Sequence, residues 1–407
     1  MELIRPEDVG VSSKGLERIT THLERHYVGP RKIAGCLTLV ARHGQVVMCT
    51  PQGSMDLERD KPMREDTIFR IYSMTKPITS VAMMMLAEEG AVQLSDPVHR
   101  FIPEWRNLRV YQSGNHPVFL TTRPERPMTI HDLLTHMSGL TYGFMNRTNV
   151  DAAYRKLQVQ DQPAGPVLRD MIEALAELPL EFSPGTAWGY SVATDVLGYL
   201  VEVISGQSYD QFLEERILGP LGMRDTGFNV PEKDHERFAA CYGRTRSKKL
   251  VLQDDPETSV YRGKVTFWSG GGGLVSTAHD YFRFCEMLRR GGELDGVRIL
   301  GPRTIEYMTK NHLPGGKDLT QMSVGAFSET RYEGTGFGLG FSVTMDPVAA
   351  QVISTGGEYA WGGAASTAFF IDPKEELVVV FLTQLMPSAT FNFRGQIKQI
   401  VYGALID

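Results

Sequence analysis

The sequence predicts an α+β fold. One antiparallel sheet is built from both termini and carries flanking helices, and a mainly helical domain is inserted between its two halves. Three observations predict it. Short runs rich in Val, Leu and Cys, joined by tight turns, lie near the N-terminus. Similar runs return after residue 338. Between them the apolar residues recur at helical spacing. The expected division is a sheet domain over 1–75 and 290–407 and a helical domain over 76–289, with the working cleft between them.

Ser12 or Ser13 is placed to cap a helix over 15–27, with Leu16, Ile19 and Leu23 on one face. Residues 33–41 and 45–50 read as a hairpin turning at Arg42-His43-Gly44, and 67–71 as a third strand. Residues 78–89 form a buried helix. The polar, proline-rich stretch 112–127 reads as a surface loop. Thr129 caps a helix that starts at Ile130 and stops near Ser138-Gly139. Further helices are expected over 169–178, over 197–204 ending at Gly206, and over 209–218 ending at Gly219-Pro220. Residues 241–264 look like irregular strands and loops. After Gly270-Gly271-Gly272-Gly273, Ser276 or Thr277 caps a helix over 278–289. Strands follow over 338–345, 364–371 and 377–385, then a terminal amphipathic helix over 393–405.

Composition narrows the function. Of 407 residues, 42% are hydrophobic and 22% charged, which suits a soluble protein with a large core. A net charge of −6 implies no basic surface for nucleic acid. No run approaches the roughly 20 apolar residues of a membrane span, and the polar, acidic start lacks an apolar signal region. Cys36, Cys49, Cys241 and Cys285 are far apart and read as reduced core residues of a cytoplasmic protein. His131 and His136 lack the His-Glu-x-x-His pattern, so no metal is expected, nor an organic cofactor. The expected partner is a small-molecule substrate, and the expected state a monomer or small homo-oligomer.

Three stretches carry chemistry. In Ser73-Met74-Thr75-Lys76 the serine and lysine are three apart, so a helix starting there puts both on one face. Serine is a poor nucleophile until its proton is taken, and a neutral amine beside it can take it. The plainer reading is a serine helix cap. Tyr190, after the turn-rich Phe182-Ser183-Pro184-Gly185, offers a phenol for proton transfer, or else is a packed tyrosine. Trp361-Gly362-Gly363-Ala364 opens a strand whose glycines would let a ligand approach the backbone. The N–H groups of Ser73, at a helix start, and Ala364, on that strand, are candidates for an oxyanion hole. The alternative is a glycine bulge with a surface tryptophan.

Taken together, Ser73–Lys76, Leu133-Leu134-Thr135-His136-Met137-Ser138-Gly139-Leu140, Ser183-Pro184-Gly185 before Tyr190-Ser191, Pro220-Leu221-Gly222-Met223, the tetraglycine and Trp361-Gly362-Gly363 resemble the serine β-lactamase and penicillin-binding-protein superfamily. Within it the chain looks most like family VIII carboxylesterases, which are related to class C β-lactamases. The resemblance implies a β-lactamase/transpeptidase-like fold. It also implies an acylated Ser73, proton transfer through Lys76 and Tyr190, and a substrate strand lined by Trp361, Gly362 and Gly363. Val192 and Tyr72 are expected to join the substrate-binding residues. Two departures matter. Val192 stands where peptidases of this group carry Asn, and Trp361 where they carry the Lys of Lys-Thr-Gly. Both exchanges tilt the expectation from anionic peptide-like substrates toward short-to-medium neutral esters, or toward acyl transfer to an alcohol. β-Lactamase or D-amino-acid peptidase activity is the further alternative. The nearest α/β-hydrolase elbow, Gly189-Tyr190-Ser191-Val192-Ala193, ends in Ala and follows no strand.

Overall fold

Gly35–Arg42 (β1) is buried along its whole length because both of its faces are covered. Leu37, Leu39 and Ala41 enter one core, and Cys36 and Val40 enter a second. The computed structural model describes residues 2–159, 166–325 and 332–407. In it β1 turns back through His43 (φ 52°) and Gly44 (φ 78°) into Gln45–Asp56 (β2), which pairs with Lys61–Pro62 (β3). Positive φ at both turn residues matches the twist of a two-residue hairpin. The rest of the sheet comes from the other end of the sequence: Thr335–Phe337 (β4), Ser342–Thr344 (β5), Tyr359–Gly362 (β6), Ala368–Asp372 (β7) and Leu377–Thr383 (β8). The order is β4-β5-β6-β7-β8-β1-β2-β3, antiparallel throughout.

The outer face is covered by Ser13–Leu23 (α1) and the C-terminal helix Phe393–Tyr402. Leu16, Ile19, Phe393, Ile397 and Val401 pack there on Val379 and Phe381. The inner face meets Thr75–Glu88 (α2), which is buried on every side from Thr75 to Leu86. A helix apolar all round belongs in the middle of a core. Ala193–Ser205 (α3) packs along α2. Ala278–Arg289 (α4), placed with the helical domain in the expected division, lies against β1, β7 and β8. Among the described residues no helix is long and apolar enough to cross a membrane.

Several local expectations are corrected. The strand over 67–71 shrinks to Phe69–Arg70 and pairs with Val275–Ser276, outside the main sheet. The surface loop over 112–127 contains a hairpin, Val110–Asn115 with Val118–Thr122, so exposed that no apolar alternation marks it. The strand over 338–345 is interrupted by a reversal through Gly340 (φ 94°), which separates β4 from β5. The strand expected to begin at Ala364 begins at Ala368. The Trp361-Gly362 pair instead ends β6, and Ala364 lies in the turn between β6 and β7. A short helix, Leu319–Met322, lies in the 310–325 segment.

Candidate active site

Ser73 is positioned by what precedes it. Arg70 is fully buried, bonds to Asp254 (2.6 Å) and to the Ala239 carbonyl (2.6 Å), and stacks over Phe238 at 4.0 Å. Ile71 N–H donates to the Leu274 carbonyl. Tyr72 then takes φ 43°, a left-handed conformation costly for a bulky residue. The chain turns sharply through the 3-10 segment Tyr72–Met74 into α2. Ser73 thus sits at a helix start, with Lys76 one turn on.

The three predicted groups converge. The Tyr190 hydroxyl donates to Ser73 Oγ at 2.6 Å, and Lys76 Nζ donates to the same oxygen at 3.2 Å. Lys76 is 2% exposed. Its ammonium also donates to Tyr142 Oη at 2.8 Å and to the Gly271 carbonyl at 2.6 Å, and lies 4.7 Å from the Tyr190 ring centroid. Tyr190 is seated by Gly189, whose N–H donates to the His136 carbonyl, and by the His136 ring at 4.9 Å. A Cβ at Gly189 would come within 2.9 Å of the Phe182 ring.

Sequence reasoning missed Tyr142, Gly271 and Asp195. The Gly271 N–H donates to Asp195 Oδ1 (2.9 Å), and Ser269 Oγ donates to the same oxygen (2.5 Å). One residue, Gly271, therefore links the lysine to a buried carboxyl group through its two flanking peptide groups. Burial pushes the Asp195 carboxyl up, opposed by the Lys76 charge and by these hydrogen bonds. The signal for this contact was in the tetraglycine. A Cβ at Gly271 would stand 2.5 Å from Asp195 Oδ2 and 2.9 Å from Tyr142 Oη, so only glycine fits. His136, held well below the usual imidazole range by burial and then by the Lys76 charge, faces Ser191 Oγ (3.3 Å). His131 faces His312 (3.1 Å). Among the described residues no group of three or more His, Cys, Asp or Glu could hold a metal ion.

The Trp361 ring packs on Tyr190 at 5.6 Å and edge-on to Phe337 at 5.4 Å. The pairing of β6 with β5 ends at Ala360 opposite Ser342, so Trp361 and Gly362 extend past their neighbour on that side. Gly363 closes a turn by donating to the Thr367 carbonyl (2.9 Å). A Cβ on it would meet the Ile71 carbonyl oxygen at 2.3 Å. This contact brings the end of β6 against the backbone two residues before Ser73. Among the described residues, neither the Ser73 nor the Ala364 N–H donates to a protein acceptor. One expected substrate-binding residue faces away: Val192 is 0% exposed, in the core at the start of α3. Tyr72 is partly exposed and directly precedes Ser73.

Comparison with known proteins finds relatives over most of the chain. The family model described as Beta-lactamase matches residues 20–400. Protein Rv1367c of Mycobacterium tuberculosis is 36% identical over 363 residues, 88% of each chain. Esterase EstB of Burkholderia gladioli is 35% identical over 373 residues, 87% of this chain and 86% of that one. Among solved structures, EstCE1, described as a hydrolase with promiscuous acyltransferase activity, superposes with a TM-score of 0.79 at 29% identity. It covers 96% of this chain and 99% of its own.

Proposed function

The chain belongs to the Beta-lactamase family, and from that premise we propose that it is a carboxylesterase working through an acyl-enzyme on Ser73. The observation that carries this reading is the shared Ser73 oxygen, within hydrogen-bond reach of both Tyr190 and Lys76. Ser73 Oγ attacks the ester carbonyl carbon, and its proton passes to the Tyr190–Lys76 pair, which takes it in the form that has already given up one proton, as phenolate with ammonium or phenol with amine. These two groups act as one coupled unit. The carbonyl oxygen, now negative, accepts from the Ser73 and Ala364 N–H groups. Collapse breaks the ester C–O bond, and the alcohol leaves with a proton from the same pair. Water then attacks the acyl-enzyme by the reverse sequence.

Neutral esters of short-to-medium acyl chain are the substrate class this reading favours. Trp361 presents an apolar ring beside Tyr190, where a lysine would attract a substrate carboxylate. EstB is named an esterase, which supports hydrolysis. The promiscuous acyltransferase activity of EstCE1 supports a second reading, in which an alcohol replaces water in the second half and the acyl group is transferred. Four buried free thiols fit a reducing, cytoplasmic setting.

The test is direct. The wild-type chain hydrolyses p-nitrophenyl butyrate and Ser73→Ala does not. A fluorophosphonate adds to Ser73, as mass spectrometry of the digest reports. Persisting activity in Ser73→Ala, or an adduct on Ser191, removes Ser73 from the mechanism. A wild-type chain that turns over a chromogenic cephalosporin but no ester in a graded acyl series refutes the substrate class.

A further inference from the structure

Residues before and after the 110–122 hairpin enclose, with Leu180 and Pro184, a cleft of about 490 Å3. Cavities of roughly 300–1,000 Å3 hold small-molecule ligands. None of the residues lining this one belongs to the Ser73 site. Val98, Leu108, Met128 and Leu180 are buried and give it an apolar wall. Its polar lining is cationic. Arg106, Arg109, Arg123 and Arg126 all line it, against one acidic side chain, Glu125.

Of these arginines, Arg126 is neutralised by a two-pronged pair with Asp132 at 2.6 and 2.7 Å. Arg109 makes long contacts to Thr121, 3.4 Å each. Among the described residues, neither Arg106 nor Arg123 pairs with a carboxylate. A chain of net charge −6 thus gathers three unneutralised guanidinium groups around one cleft. Like charges gathered in this way repel, and an anion among them removes the repulsion. The planar guanidinium fork matches phosphate oxygens, and the apolar wall suits an organic portion.

We infer that this cleft binds a phosphate-bearing organic molecule of about nucleotide size. Its phosphate groups lie among Arg106, Arg109 and Arg123, and its organic part lies against Val98, Leu108 and Met128. The test is isothermal titration of the full chain with ATP and, separately, with inorganic pyrophosphate, each at low and at physiological salt. ATP binds saturably, and more weakly as salt rises. Arg106→Ala with Arg123→Ala weakens it at least about tenfold, the loss expected for charge-assisted hydrogen bonds. Arg18→Ala, a remote exposed arginine on α1, leaves binding unchanged. Ester turnover by the double variant stays at the wild-type level, which reports that it is folded. The single Arg123→Gln variant shows a smaller loss and serves if the double variant does not fold. Absence of binding to both anions, or equal affinity in wild type and the arginine variants, overturns the inference. So does binding to phosphatidylglycerol vesicles without binding to either soluble anion.

Discussion

Replacing Tyr142 by Phe separates a positioned lysine from a merely nearby one. Lys76 has three N–H bonds and three protein acceptors. Gly271 O lies at 2.6 Å, Tyr142 Oη at 2.8 Å and Ser73 Oγ at 3.2 Å, so the contact to the nucleophile is the longest. Tyr142→Phe removes the middle acceptor and keeps the ring. The ring stays stacked on Phe144 at 4.7 Å and tilted on Tyr190 at 5.2 Å. One ammonium N–H is then left unsatisfied in a buried place, and the amine swings to find water. The Ser73 contact is the first it loses. A hydrogen bond to a charged group is worth about 1.5–3 kcal/mol. If that loss is felt fully in the acylation transition state, kcat falls roughly 10- to 150-fold. KM should change little, because the phenol holds the lysine rather than the substrate. Steady-state hydrolysis of p-nitrophenyl butyrate, beside a urea melt to show that the variant is folded, measures both. A folded Tyr142→Phe enzyme with kcat within about threefold of wild type would refute the reasoning, and Tyr142 would then be a packing residue.

Gly363→Ala places a methyl group 2.3 Å from the Ile71 carbonyl oxygen, which is backbone and cannot swing aside. The turn carrying Ala364 must move away from Ser73. Loss of one oxyanion donor costs about 10²- to 10³-fold in kcat, and stopped-flow acylation that is unchanged would remove Ala364 from the oxyanion hole. The His131–His312 pair gives a pH dependence. His312 Nε2 donates to the Tyr307 carbonyl (2.8 Å), so its Nδ1 accepts from His131 Nε2 (3.1 Å), an arrangement that needs a neutral acceptor ring. Both imidazoles are held below their ordinary value, chiefly by burial. The unfolded chain therefore takes up these protons first, and stability present above about pH 6.5 is lost as pH falls toward the folded-state values. The slope is at most about 1.4 kcal/mol per pH unit for each histidine. Urea midpoints at pH 8 and pH 5.5 should fall less for His312→Gln than for wild type, and an equal fall would show that the pair does not titrate. Ser73→Ala, by contrast, should abolish turnover while leaving the urea midpoint almost unchanged, because Ser73 is partly exposed and, among the described residues, its side chain bonds to Tyr190 and Lys76 alone.

What could be read from the sequence was what local geometry fixes. Ser73 and Lys76 share a helical face because they are three apart, whatever surrounds them. The strands at both ends were legible because β1 and β8 are buried on both faces, so β8 runs almost unbroken in Val, Leu and Phe and β1 is rich in Leu, Val, Cys and Ala. Misreadings arose where pattern and environment part. The 110–122 hairpin leaves Val118 75% and Leu120 62% exposed, so its apolar residues carried no information about a core. Val192 is next but one to Tyr190, yet it caps α3 and its side chain is fully buried in the core.

Tyr142, Gly271 and Asp195 were illegible for a different reason. Each acts on Lys76 across a large sequence separation, so no local spacing marks it. Yet they constrain one another. The Gly271 carbonyl takes one lysine N–H while its own N–H engages Asp195, and any side chain at 271 would strike both Asp195 and Tyr142. A buried ammonium needs this: its three donors must all be met, or burial would cost more than the site can hold. The glycine, the phenol and the carboxyl group are therefore best understood as the conditions under which a lysine can stay buried beside Ser73. If so, Gly271→Ala should impair the enzyme through Lys76. It should lower kcat as Tyr142→Phe does, and combining the two should cost less than the product of their separate effects. Fully multiplicative losses would show that glycine and phenol act on separate groups.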